Sequence, residues 1–454
     1  MKPMTSLPSP DGTSRSPGQR FEPYPLYKDT GVEWLGRIPS HWDAARLWRI
    51  SRSISGGTPA REERAYWDGG IPWVSPKDMK RRIIDSSEDT VTELAIRETG
   101  LRVVDPPAVL VVVRGMILAR SFPVGLTTVP VTINQDMKAL TFRKNVDPGF
   151  MAWAFEGIGR GLLSAIVDEA AHGTRAIRMD QWRWVTVPIP PEGEQKAVAA
   201  FLERETARID GLVAKKERLI ELLHERRSAL ITRAVTRGLD LSVAMRDSGV
   251  DWLGEVPAHW DVRSNVGLFQ QRLEHGRDDL PILEVSIAFG VRLREFSDTK
   301  IEQRSDDPGA YKVACAGDIA FNKMRLWQGA VGTTPDTALV SPDYVVAVPR
   351  DGADPTYYTA VFRTPQFMAE VYRWSHGIVD DRNRLYWEEF KALSVPVPPP
   401  SEQRAIIEFL NRETARIEAL IGKVREAIVG LNEFRTALIS AAVTGKIDVR
   451  GEVA

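Results

Sequence analysis

From Glu194 to about Arg237 the chain has no proline, and apolar residues recur at a spacing near seven through Val198, Leu202, Ile209, Leu212, Leu219, Leu223 and Leu230. That spacing predicts a long helix with one apolar stripe facing a partner helix. A second stretch is more regular. Ile406, Leu410, Ile417, Leu420, Val424, Ala427, Leu431, Phe434, Leu438 and Ala441 alternate by three and four residues, the a/d pattern of a coiled-coil seam. Each helix of about 40 residues extends roughly 60 Å at ~1.5 Å per residue, too long for a compact domain. Glu205, Lys216, Arg226 and Arg233 interrupt the first stripe. Buried charges need partners, so a homodimeric zipper is the less economical reading and pairing of the two unlike helices the better one.

Outside the helices the pattern is mixed. Short β-rich runs such as Ala108 to Leu118 and Tyr344 to Val348 are broken by Gly and Pro turns, as in small α/β domains.

An internal repeat organises these elements. Gly31-Val32-Glu33-Trp34-Leu35-Gly36 returns as Gly249-Val250-Asp251-Trp252-Leu253-Gly254, and His41-Trp42-Asp43 as His259-Trp260-Asp261, at an offset of 218. Further along, Glu194-Gln195 returns as Glu402-Gln403 and Arg204-Glu205-Thr206-Ala207-Arg208-Ile209 as Arg412-Glu413-Thr414-Ala415-Arg416-Ile417, at an offset of 208. Ala234-Val235-Thr236 and Ala442-Val443-Thr444 follow at the same offset. Between the matched blocks the halves share almost nothing. A duplicated frame holding two divergent inserts implies one symmetric task done twice and two different recognition tasks. The fold class expected is α+β: two mixed α/β domains separated by two long antiparallel coiled-coil helices, related by a pseudo-twofold internal repeat. In that arrangement helix length is a ruler. About 60 Å exceeds one ~34 Å turn of duplex DNA, so a domain at each end could meet major grooves on the same side of it.

Composition narrows the class. The 454 residues suggest two or three domains, and 43% apolar with 27% charged residues describes a globular protein. No apolar run reaches the roughly 18 residues that cross a bilayer, and no signal pattern opens the chain, so a cytoplasmic location and no membrane partner are expected. The single cysteine, Cys315, excludes an internal disulfide framework or a cysteine-cluster zinc site. A net charge of −1 excludes a polybasic binder but leaves room for local basic faces.

Neither insert carries a phosphate loop, a methyltransferase or nuclease motif, or a metal-ligand spacing. His41 and His259 sit beside a repeated tryptophan, where a packed core histidine is the expectation. Polar loop clusters are more informative. Ser55-Gly56-Gly57-Thr58-Pro59 precedes Ser75-Pro76-Lys77-Asp78-Met79-Lys80-Arg81-Arg82, four cations within six residues, able to line a phosphate backbone. The second insert offers Phe321 to Gly329 and Asp380-Asp381-Arg382-Asn383-Arg384. Lys and Arg suit guanine edges and phosphates, while Asn and Gln suit adenine. The DNA-contact candidates are Thr58, Lys77, Lys80, Arg81, Arg120, Gln135 and Arg175 in the first insert. In the second they are Asn322, Lys323, Arg325, Gln328, Arg382, Asn383 and Arg384. No catalytic or metal-binding residue is expected.

The Pro-Pro-x-x-Glu-Gln entry into a helix bearing Arg-x-x-Ala-Arg-Ile, present twice and each time after a variable domain, resembles the conserved regions of Type I restriction-modification specificity subunits (HsdS). Gly56-Gly57-Thr58-Pro59 with Ile71 to Met79 is similar to one common target-recognition type, and Asn322 to Gly329 with Leu339 to Val346 to another. The resemblance spans about residues 22 to 448. A disordered tail is expected over 1–21, outside it, and the resemblance implies target recognition domain 1 over 22–191 and a central spacer helix over 192–238. Target recognition domain 2 then covers 239–399, a second spacer helix 400–446 and a tail 447–454. It also implies a non-catalytic subunit whose domains each read half of a bipartite, asymmetric duplex DNA target. The partners implied are two methyltransferase subunits and, through the complex, restriction/translocase subunits. No cofactor is expected on this chain; S-adenosylmethionine, ATP and magnesium are implied for the partners. Two alternatives stand beside this reading: a coiled-coil scaffold that never binds DNA, and a self-contained DNA-modification enzyme.

Overall fold

The two proline-free stretches are continuous helices, Glu192–Arg237 of 46 residues and Pro400–Val443 of 44. At ~1.5 Å per residue they run roughly 65 to 70 Å, somewhat longer than the seam alone predicts. They belong to a computed structural model that describes residues 21–169, 174–275, 279–294, 308–377 and 383–452, with short strands Leu7–Pro8 and Ser14–Arg15. The chain forms two compact units, and each takes part of both helices. The first comprises residues 1–217 and 425–454, the second residues 218–424.

In the first unit the all-apolar run Val109–Val112 is buried at the centre of a five-stranded sheet, as a strand covered on both faces must be. Its order is Ser51–Ser55, Met137–Phe142, Val109–Val112, Val124–Thr127, Ile83–Ile84. Helix Pro148–Ile166 covers it. Asp147 caps that helix by accepting from the Phe150 N–H at 2.6 Å, with proline at the start where no N–H is needed. Phe150, Trp153, Phe155 and Leu162 join the core with Phe201 and Leu202 of the first long helix and Phe434 and Leu438 of the second. There the long helices run antiparallel: Asp210 pairs with Arg435 at 3.1 Å, while the earlier Arg204 donates to the later Glu452 carbonyl at 2.9 Å.

The second unit is built likewise around a four-stranded antiparallel sheet, Phe269–Gln271, Tyr344–Pro349, Ile319–Asn322 and Val331–Thr333. Helix Pro355–Phe362, capped by Asp354, packs on it through Tyr357, Tyr358 and Phe362. Here too the long helices are antiparallel. Leu223 clusters with Ile417 and Ile421, Ala234 and Val235 share a core with Ile406 and Leu410, and Arg227 pairs with Glu418 at 3.1 Å.

The seam departs from the heptad expectation in one respect. Leu420 is 44% exposed and Ile421 is fully buried, and Leu212 and Leu219 also lie outside. In the second helix the departure is confined to Leu420, because Ile417, Val424, Leu431, Phe434 and Leu438 all stay buried in the predicted register. Glu205 is inside, held by Arg208 at 2.9 Å.

The repeated residues build one joint twice. Strand Asp43–Arg46 pairs with Thr186–Ile189, and Asp261–Ser264 with Ser394–Val397, in the same register. Trp34 donates to the Thr186 carbonyl at 3.1 Å, and Trp252 to that of Ser394 at 3.2 Å. The glutamate-glutamine pair opening each long helix holds the insert to the frame. Glu194 accepts from Trp42 Nε1 at 2.8 Å and Glu402 from Trp260 Nε1 at 2.9 Å. Gln195 is buried; it accepts from the Asp147 N–H and donates to the carbonyls of Pro190 and Asn145. Gln403 does the same with Asp354, Pro398 and Gly352. His41 and His259 are not core residues, contrary to expectation. Their half-exposed rings lie 2.8 and 2.7 Å from Glu194 and Glu402, a polar position at the rim of the joint. Each long helix ends on a left-handed glycine against the repeated proline and tryptophan. Gly445 (φ +67°) abuts Pro39 and Trp42, and Gly238 (φ +74°) abuts Trp260 and Pro257.

Candidate nucleic-acid interface

In the first insert a parallel strand pair gathers the candidate loops. Thr132 and Ile133 lie beside Trp73 and Val74, so both chains leave the sheet at one edge. From there Ser75 to Arg81 runs one way and Asn134 to Asp136 the other, while Gly57 N–H donates to the Ile133 carbonyl. Gly56 is required where it stands, because a Cβ would lie 2.0 Å from the Ile133 oxygen. The crossing brings exposed Thr58 onto Gln135, to whose side-chain oxygen its hydroxyl donates. Asp136 in turn accepts from the backbone of Val113 and Arg114, and Gly115 pairs with Arg175. The turn Met116–Ala119, ending at exposed Arg120, packs beside the Arg175–Ile177 strand. Thr58, Gln135, Arg175 and Arg120 therefore lie along one connected edge.

The basic loop is exposed and partly neutralised. Asp78 shapes it, accepting from the Ser75 N–H and hydroxyl at 2.8 and 2.9 Å. Lys77 faces Glu88 at 3.8 Å, Arg81 pairs with Asp85 at 2.8 Å, and Lys80 is exposed. Arg82, counted with them in the sequence, turns inward. Its guanidinium stacks 3.4 Å over Trp153 and donates to the Gly149 carbonyl at 3.1 Å. Periodicity marks two cations as strand residues and hides them as candidates: exposed Arg114, and Lys138, whose Nζ reaches Ser55 at 2.5 Å. Burial pulls the Lys138 ammonium below its ordinary range.

In the second insert Asn322 ends a central strand, buried, and its Oδ1 accepts from the Met324 N–H at 2.9 Å. It forms the turn rather than presenting an amide. Lys323 is mostly covered, 3.9 Å from Asp343 and under the Tyr386 ring. Arg325 is exposed at the head of the Leu326–Gln328 turn, with Gln328 half-buried. The Leu385 N–H donates to the Lys323 carbonyl, which brings Arg384 and buried Asn383 beside that turn. Arg382 lies outside the described residues. Exposed Tyr386 and Tyr372, the latter packed on Trp327 at 5.3 Å, join this face; no loop motif announces them.

Among the described residues no His/Cys/Asp/Glu group is placed to hold a metal, and no helix is long and apolar enough to cross a membrane.

Two unlike α/β inserts on a duplicated helical frame define a distinct class of chain. No protein-family model matches this sequence. It is 30% identical over 197 residues to the EcoR124I/EcoR124II specificity subunit of Escherichia coli, covering 43% of this chain and 46% of that one. It is 25% identical over 207 residues to the MjaIX specificity subunit of Methanocaldococcus jannaschii, covering 44% of each. The chain thus matches less than half the length of these relatives. A fainter likeness, 18% over 445 residues, covers 91% of the chain and 90% of the StySPI specificity subunit of Salmonella potsdam. In fold it is similar to the HsdS subunit of Thermoanaerobacter tengcongensis, with a TM-score of 0.54 and 14% identity over 90% of this chain and 98% of that one. A chain from a structure of type I R-M complex assembly and conformational transition gives 0.59 and 13% over 89% and 98%. The chain is thus similar to Type I restriction specificity subunits over part of its length, and in fold to an HsdS subunit.

Proposed function

We propose that this chain is the non-catalytic, sequence-specific DNA-recognition subunit of a Type I restriction-modification complex. Each insert reads one half of a bipartite, asymmetric duplex target through the edges described above. The long helices set the unread gap. Two methyltransferase subunits dock on the duplicated frame, and restriction/translocase subunits join through the complex. S-adenosylmethionine, ATP and magnesium belong to those partners and no cofactor to this chain, which works in the cytoplasm.

The observation that carries the reading is the joint built twice, in one register, around inserts of different topology. A symmetric frame offers equal surfaces to identical partners, while unlike inserts supply the asymmetry of a split target. A scaffold without DNA binding has no need of loops that collect exposed cations, threonine and glutamine at one edge.

Mapping modified adenines in cells with and without the chain yields the two half-sites. On that duplex, Lys77→Ala, Lys80→Ala and Arg81→Ala together are expected to weaken binding by about 10-fold or more, since each phosphate or base contact is worth on the order of 1 kcal/mol. The loss should disappear when the first half-site is already scrambled and persist when the second is. Equal loss on both scrambled targets contradicts the division of labour. Methyl transfer from labelled S-adenosylmethionine by the purified chain alone overturns the non-catalytic assignment.

A further inference from the structure

One exposed patch of the first unit adjoins the paired strands of the joint through Arg46, and none of its residues is among those of the reading edge. Helix Leu47–Ile50 and the turn before strand Thr186–Ile189 are stitched together by Leu47 N–H to Val185 O at 2.8 Å and Trp48 N–H to Arg183 O at 3.2 Å. Two indoles meet there edge to face, Trp48 and Trp184, with centroids 6.2 Å apart and 44% and 47% exposed. Three guanidiniums lie over them. Arg46 and Arg183 stand 4.8 and 5.3 Å from the Trp184 centroid and Arg49 stands 5.3 Å from that of Trp48. Exposed Arg143 adjoins through its N–H to the Ile50 carbonyl.

Some arginines of this insert, Arg61, Arg81 and Arg178 among them, face carboxylates. Among the described residues none of these four does. Four cations with no carboxylate partner among the described residues favour a polyanion whose charge repeats, as a nucleic-acid backbone does. Guanidiniums already stacked on rings are pre-ordered, which cuts the entropy lost when they take up phosphates.

The second unit argues against a partner that binds both halves. Its equivalent bond, Asn265 N–H to Leu393 O at 2.9 Å, is intact. Yet the positions matching Arg46, Trp48, Arg49, Arg183 and Trp184 are Ser264, Val266, Gly267, Lys391 and Ala392. A docking surface for two identical protein subunits would be present twice.

We infer that Arg46, Arg49 and Arg183, held by Trp48 and Trp184, form a sequence-independent contact to the phosphate backbone of duplex DNA on the first unit alone. The inference rests on the DNA-binding reading above. Its test is a salt titration of the full chain with two labelled duplexes, one carrying the mapped target and one scrambled.

R46A/R49A/R183A is expected to weaken both duplexes by the same factor, about 10-fold or more at 0.15 M salt, and to flatten log K against log salt by about 2 to 3. The lysine triple R46K/R49K/R183K should restore the slope, and W48A/W184A should lower affinity with the slope kept. An unchanged slope in the alanine triple overturns the inference, as does a loss confined to the target duplex. Retained DNA affinity with loss of a co-purifying protein subunit overturns it in favour of a protein surface. A wild-type chain that binds neither duplex sinks this inference and the parent reading together, whereas an insensitive triple variant sinks this one alone.

Discussion

The Arg82 guanidinium lies 3.4 Å above the Trp153 ring, inside the first insert. Its Nε and Nη1 are buried without a hydrogen-bond partner, and carboxylates of Glu156 and Glu203 approach only to 3.9 Å. Burial lowers its pKa to about 10, against the opposing pull of those two carboxylates.

Arg82→Ala is therefore expected to destabilise the first unit by about 2 to 4 kcal/mol, the range for losing a desolvated cation–π contact and one side of a buried charge cluster. Denaturant unfolding of the full chain checks the size. Because the folded state releases this proton more easily than the unfolded one, the guanidinium's burial weighs against the fold at neutral pH. That burden eases only as the pH rises through about 10. A salt dependence of DNA binding as altered as that of the Lys77, Lys80 and Arg81 variant would show Arg82 to be a contact after all.

The buried glutamines make a paired prediction. Gln195→Ala and Gln403→Ala each strand one backbone N–H and two carbonyls, at a cost of about 2 to 3 kcal/mol for unsatisfied buried groups. Hydrogen exchange should speed up at the Asp147 amide in one variant and the Asp354 amide in the other. Acceleration of both amides by either substitution would contradict two separate joints.

Gly445→Ala and Gly238→Ala share a left-handed backbone penalty of about 1 kcal/mol. They differ in space. A Cβ at 445 would stand 2.3 Å from Pro39 Cδ, but at 238 it would stand 3.2 Å from the Trp260 ring. Overpacking adds about 1 to 3 kcal/mol, so thermal melts should rank Gly445→Ala clearly below Gly238→Ala; the reverse order would contradict the contacts.

Asp448 provides the acid-side prediction. Its hydrogen bond to Arg450 holds the carboxyl below the usual carboxylate range, against burial. A lowered folded pKa contributes stability that is present above the unfolded value of about 4 and lost as pH falls through the folded one. Melting temperature between pH 5 and 2 should consequently fall less steeply in Asp448→Asn than in wild type. Parallel curves would remove the pair from the acid response.

Much of this architecture is legible in the residues because the frame was copied. Repeated Trp-Leu-Gly, His-Trp-Asp and Glu-Gln blocks locate both joints, and the missing prolines locate both helices. Side-chain direction within an element is what spacing leaves open. Leu420 fits the heptad but Ile421 takes the core, Arg82 reads as a fourth loop cation but stacks on Trp153, and His41 reads as core but lines a rim. Each depends on about one residue of rotation or on a partner far along the chain. The meeting of Thr58 with Gln135 has the same origin. Seventy-seven residues separate them, and only the parallel crossing of two strands makes them neighbours. Trp48 and Trp184 lie further apart still in sequence.

What Gln195 and Gln403 grip in the inserts is main chain: an N–H at 147 or 354 and a carbonyl at 145 or 352. Those atoms exist whatever side chains stand there. At those two points a foreign insert need only deliver one amide and one oxygen, and the side chains there are free to differ. What a replacement reader must still match is the apolar face that Phe150, Trp153 and Phe155 present to Phe201 and Phe434, and that Tyr357 and Phe362 present to Val235 and Ile406.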